Sequence, residues 1–98
     1  MTWTVWFTGK AKKQIAKLPL ALRRRLRALV EDLRTGGPHC PGWPNFGKIS
    51  GSEDCFLCHL KKGRPTYVTV WRVRDQGLRV IEVRYVGTHE GVDYGGVY

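Results

Sequence analysis

The side chains able to hold a metal, move a proton or grip a phosphate gather in the second half of this 98-residue sequence. The most conspicuous group is Cys55-Phe56-Leu57-Cys58-His59, which has the C-x-x-C-H spacing of covalent haem attachment. His39 and Cys40 would add two ligands of a kind that zinc accepts. Two features count against both readings. The one methionine is Met1, so a distal haem methionine is missing. The run also reads as a strand, in which residues three apart point to opposite faces, and Phe-Leu offers no tight turn to bring the thiols together. Cys55 and Cys58 are expected to diverge as buried structural thiols. No metal and no cofactor is assigned.

A second constellation suits a polyanion. Lys61, Arg64 and Arg84 supply cations, Tyr67 and Trp71 supply aromatic faces, and His89 and Tyr94 follow from the C-terminal tail. Cations beside rings fit single-stranded RNA, because the cations neutralise phosphate while the rings stack on bases. The grouping depends on strand faces. Alternation is expected to turn Val68, Val70, Ile81, Val83 and Tyr85 toward the helices, and Tyr67, Thr69, Trp71, Val80, Glu82 and Arg84 the other way.

The elements that must position these residues are punctuated clearly. Residues 2–7 alternate threonine with large apolar groups and read as a strand. Thr8 is placed to cap a helix over roughly 9–18, with Ala11, Ile15 and Leu18 on one face. Pro19 suits the first turn of a second helix, in which Leu22, Leu26, Leu29, Val30 and Leu33 form one buried stripe. Gly36, Gly37 and Pro38 end it. Residues 37–53, broken by prolines and glycines, are expected to form a long irregular loop, pinned by an aromatic anchor such as Trp43 or Phe46. Three strands at about 55–61, 66–74 and 78–86 are joined by Gly63-Arg64-Pro65 and Asp75-Gln76-Gly77, both hairpin connections. The fold class is α+β: an N-terminal strand, a helical hairpin and an antiparallel three-strand meander in a single domain over residues 1–98.

The charge is lopsided. The sequence carries 17 Lys+Arg against 8 Asp+Glu, a formal net charge of +9. Lys10, Lys12, Lys13, Lys17, Arg23, Arg24, Arg25 and Arg27 all precede the first acid, Glu31. Such a concentrated positive field favours nucleic acid or an acidic protein segment as partner, and Lys10, Lys13, Arg23, Arg24, Arg25 and Arg27 are its candidate RNA contacts. No apolar run is long enough for a membrane span, and the N-terminus does not read as an export signal. A cytosolic location is expected, and the odd count of three cysteines argues against a disulfide framework.

The order of elements, the basic leucine-rich second helix, and the stretches Leu60-Lys61-Lys62-Gly63-Arg64-Pro65-Thr66-Tyr67 and Val83-Arg84-Tyr85-Val86-Gly87-Thr88-His89-Glu90 resemble the RelE/ParE toxin superfamily of type II toxin–antitoxin systems. The Val-Gly-Thr-His-Glu segment, with a tyrosine soon after, is similar to its RelE/HigB-like branch. The resemblance implies a metal-independent endoribonuclease that cuts mRNA on the ribosome by attack of a ribose 2′-hydroxyl on the neighbouring phosphate. It casts His89 as base or acid, Tyr94 as its orienter or partner, and Lys61 as a phosphate ligand; Arg64, added on face and charge, joins Lys61 on the phosphate. It also implies a cognate antitoxin, whose acidic segment wraps the toxin and often belongs to a helix-turn-helix repressor. Two alternatives stay open: a ParE-like inhibitor of DNA gyrase, and a catalytically inactive member.

Overall fold

The structure, a computed structural model, describes residues 2–89. After a first strand, β1 (Thr4–Phe7), the Thr8 hydroxyl accepts the Ala11 N–H at 3.1 Å and starts helix α1 (Gly9–Ala16). This is the cap expected from the sequence, and it satisfies one of the backbone donors that a helix start leaves over. Pro19 caps α2 (Leu20–Gly36), and Leu22, Leu26, Leu29 and Leu33 are its buried stripe. The helix stops where Gly37 takes a φ of +91°, with its N–H on the Leu33 carbonyl at 2.9 Å. Glycine is required there twice over: that φ disfavours a side chain, and a Cβ would stand 3.0 Å from Nε1 of Trp3.

The loop that follows is anchored by its aromatic residues. Nε1 of Trp43 donates to Asp32 on α2 at 2.8 Å, and Phe46 stacks with Phe56 and Trp71 at centroid distances of 5.9 and 6.1 Å. The loop also contains a two-residue strand, β2 (Gly47–Lys48), where only irregular chain was expected. It arises because Gly47 and Lys48 pair with Leu57 and Phe56, a long-range partnership that local composition does not reveal.

β3 (Cys55–His59), β4 (Tyr67–Asp75) and β5 (Val80–Thr88) form the antiparallel meander. The sheet has five strands in the order β1-β5-β4-β3-β2, with β1 parallel to β5 at the edge. Both helices cover one face. Under them lie Phe56, Cys58, Leu60, Trp71, Ile81, Val83 and Val86, together with the α2 leucines. The other face carries a separate cluster of Ile49, Cys55, Val68, Val70 and Tyr85.

Three assignments of faces are corrected here. Val68 and Val70 lie on the face away from the helices, whereas Tyr67 and Trp71 pack into the helix-side core. Tyr85 also faces away from the helices, although Ile81 and Val83 face them as expected. A β-bulge explains the last case. Val70 pairs with Tyr85 and Trp71 with Val83, so Arg84 is an extra residue and the alternation reverses across it. The cysteines behave as the strand reading requires: Cys55 belongs to one cluster and Cys58 to the other, on opposite faces of the sheet. Burial pushes the Cys58 thiol up to about 12 and Cys40 to about 11. No group of three or more potential metal ligands occurs among the described residues.

Candidate functional site

Strand register decides which polar residues meet. His59 is the last residue of β3 and pairs with Val68; Val68 in turn pairs with Gly87 on β5. His59 therefore stands on the face away from the helices, at the end of the sheet where β5 runs out. His89 follows β5, and its N–H donates to the Thr66 carbonyl at 2.9 Å. The Leu60 N–H donates to the Tyr67 carbonyl at 2.8 Å and closes the hairpin that holds Thr66. These two bonds bring the imidazoles of His59 and His89 together, ring centroids 6.0 Å apart and planes at 71°.

The environment of the pair is asymmetric. His59 is half-buried and His89 is exposed. Desolvation first, and the charge of His89 second, hold His59 below the ordinary histidine value of 6.5. Around them, Lys61 follows His59 by two residues and is partly buried, while Arg64 is exposed on the turn beyond. Lys10 reaches the same face from the start of α1, with Nζ 5.8 Å from the Tyr85 ring centroid. The Tyr85 hydroxyl donates to the Thr88 carbonyl at 2.8 Å. Gly87 lets that ring lie close, since a Cβ there would be 2.9 Å from the phenolic oxygen.

Charge is distributed along the sheet in a way that sets this end apart. At the opposite end Asp54 pairs with Arg72 at 3.2 Å, and Glu82 pairs with both Arg74 and Arg84 at 2.9 Å. A hollow of about 580 Å³ also lies there, lined by His39, Lys48, Glu53, Asp54, Phe56 and Arg74 among others. It is about 20 Å along β4 from the histidines at ordinary strand rise, and its Arg74 is held by Glu82 while Lys48 shares the lining with Glu53 and Asp54. Lys10, Lys61 and Arg64 make no ion pair among the described residues. An unmatched cation group beside two imidazoles can attract a phosphodiester and move protons on it.

The expected site residues divide accordingly. His89 meets His59, Lys61 and Arg64 belong to the hairpin whose Thr66 carbonyl takes the His89 N–H, and Lys10 lies over the Tyr85 ring. Tyr94 lies outside the described residues. Trp71 is fully buried, and its Nε1 donates to the Pro38 carbonyl at 3.0 Å, so its ring has no face left for a base. Tyr67 packs beneath the helices. Arg84 is held by Glu82, five residues before His89. Arg23 bonds the Leu18 and Ala16 carbonyls at 3.0 Å each, closing the turn between the helices, and Arg25 bonds the Leu60 carbonyl. Lys13, Arg24 and Arg27 remain exposed on the hairpin. The residue missed was His59. It was legible as an outward position of β3, but the C-x-x-C-H pattern drew it into a metal reading.

No sequence-family model matches the chain, and no curated protein matches it. Solved structures do. A double mutant of Escherichia coli RelE in the free state superposes with a TM-score of 0.73 at 24% identity, covering 92% of this chain and 86% of that one. The intact E. coli RelBE toxin–antitoxin complex gives a TM-score of 0.66 at 28% identity over 88% of this chain and 95% of the other. An archaeal RelE–RelB complex from Pyrococcus horikoshii gives 0.70 at 20% identity over 94% and 100%. With this order of elements, this mixed sheet and these matches, the chain has the RelE fold, and the likeness to the RelE of the E. coli RelBE complex supports the RelE/ParE toxin superfamily.

Proposed function

We propose that the protein is the toxin of a type II toxin–antitoxin pair and acts as a ribosome-dependent endoribonuclease on mRNA. The observation that carries this reading is the meeting of His89 with a second imidazole, His59, on the helix-free face, next to the hairpin that carries Lys61 and Arg64. Cleavage by a ribose 2′-hydroxyl needs a proton acceptor, a proton donor and cations on the crowded phosphate, and this end of the sheet holds all three kinds of group. The RelE matches support the same reading. Tyr94 completes the assignment as a partner of His89. The substrate places the protein in the cytoplasm, and no described helix is long and apolar enough to cross a membrane.

The antitoxin partner is supported by the RelB-bound neighbours and by a groove on the helical hairpin. Phe7, Ile15, Leu26 and Val30 line it, and Lys12, Arg23 and Arg27 stand around it. An amphipathic helix with acids along its edges matches that lining. Such a segment could belong to a helix-turn-helix repressor.

Primer extension on a defined mRNA in a translating ribosome mixture tests the nuclease reading. Discrete cuts in the A-site codon, absent with His89→Ala, are the expected result. No cuts from folded, antitoxin-free protein would transfer the reading to a gyrase-directed toxin or to an inactive member that survives as a binding partner.

A further inference from the structure

Resting on the ribonuclease reading, we propose that His59 and His89 work as a proton-transfer pair on one phosphodiester, His59 accepting the proton of the attacking 2′-hydroxyl and His89 donating a proton to the departing 5′-oxygen.

The geometry suits the division. In an in-line displacement the entering and leaving oxygens lie on opposite sides of phosphorus, and each must be within roughly 2.6–3.2 Å of its own proton-transfer group. Two imidazoles with centroids 6.0 Å apart, set at 71°, can each address one of those oxygens without sharing it. The surroundings decide which ring does which. A half-buried ring loses hydration on protonation, so His59 is the better holder of a neutral imidazole, while His89 stands exposed, open to exchange with solvent. A charge on His89 works in the same direction on His59, disfavouring its protonated form. The remaining neighbours of His59 do not compete for its proton. β4 presents Val68 to it, and on its other flank the Pro44 carbonyl takes only its backbone N–H, at 2.8 Å. Lys61 follows it by two residues.

The step balances. The 2′-O–P bond forms as the P–5′-O bond breaks, leaving a 2′,3′-cyclic phosphate and a 5′-hydroxyl. His59 ends protonated and His89 neutral, and exchange with solvent restores the starting state. Lys61 and Arg64 neutralise the non-bridging oxygens throughout. A single imidazole serves one of the two protons, and His59 supplies a group for the other.

Single-turnover cleavage on preassembled ribosome complexes separates the roles, using an ordinary mRNA and one with sulfur in place of the departing 5′-oxygen. A thiolate leaves without a proton. His89→Gln should therefore lose about 10²–10⁴-fold on the oxygen substrate and recover on the sulfur substrate. His59→Gln should lose a similar factor on both. Wild-type rates from His59→Gln, its recovery on the sulfur substrate, or full activity from His59→Lys would each overturn the assignment; the last would make His59 a phosphate contact. Wild-type protein that cuts neither substrate would overturn the ribonuclease reading, and the pair with it. A readout independent of activity is the NMR titration of the His59 ring, which should move to higher pH in His89→Gln; an unmoved titration would show that the rings do not sense each other.

Discussion

Trp71 carries its indole wholly inside the helix-side core, and its Nε1–H has one destination, the Pro38 carbonyl 3.0 Å away. Trp71→Ala should cost about 3–5 kcal/mol in a urea titration. Trp71→Phe, which keeps the stack with Phe46 and Phe56 and leaves the Pro38 carbonyl without the indole donor, should cost nearer 1 kcal/mol. A loss of RNA affinity at unchanged stability would contradict the buried placement. His59 supports a prediction of different sign. Its folded value lies below the ordinary 6.5, so between the two values the unfolded chain binds the extra proton. Stability therefore falls as pH drops through about 6.5, and the loss is complete below the folded value. The fall in melting temperature between about pH 7.5 and about pH 5 should be smaller in His59→Gln than in wild type.

At the scale of elements, the basic hairpin is not one uniform surface. Arg23 ties α2 to the end of α1 through the Ala16 and Leu18 carbonyls, satisfying acceptors that a helix terminus leaves over. Arg24 and Arg27 have no such duty among the described residues. Arg23→Ala should thus lower stability by about 1–2 kcal/mol. Arg24→Ala with Arg27→Ala should leave stability within about 0.5 kcal/mol, yet flatten the salt dependence of ribosome binding by about 0.7 per lost phosphate contact. Melting curves and binding across a salt series distinguish the two classes. An unchanged slope would remove this face from the RNA interface and leave it to the antitoxin.

The molecule as a whole is a sheet with two cores, one under the helices with the buried thiols of Cys40 and Cys58 and one on the other face with that of Cys55. Burial raises the Cys58 and Cys55 thiols, Cys58 to about 12, so neither offers much thiolate near neutrality. If both cores melt as one unit, Cys55 and Cys58 should stay unreactive to a thiol reagent at about pH 8 and become reactive together across the denaturant midpoint. Separate midpoints would show that the two faces unfold independently. The same sheet collects its Arg–carboxylate pairs, Arg72–Asp54 and Glu82 with Arg74 and Arg84, at the end away from the histidines.

Local patterns were enough for the helical hairpin. Thr8, the 22-26-29-33 leucine spacing and Gly37 act through neighbours within a few residues, and each appears in the structure in its expected role. The divergence of Cys55 and Cys58 was legible for the same reason, because alternation along one strand is a local property. The facing of β4 was not. Tyr67, Thr69, Trp71 and Val73 on one side and Val68 and Val70 on the other are all apolar enough to bury, and both sides are in fact covered, so alternation carried no preference. The bulge at Arg84 and the pairing of Gly47 and Lys48 with β3 depend on partner strands. The site shares that dependence. His89 and Lys61 were visible as chemistry, but their meeting with His59 required the register of three strands and the bond from His89 to Thr66. Residue types and local periodicity are written in adjacent positions, whereas a face, a bulge and a contact between residues 30 apart exist only once the strands have paired.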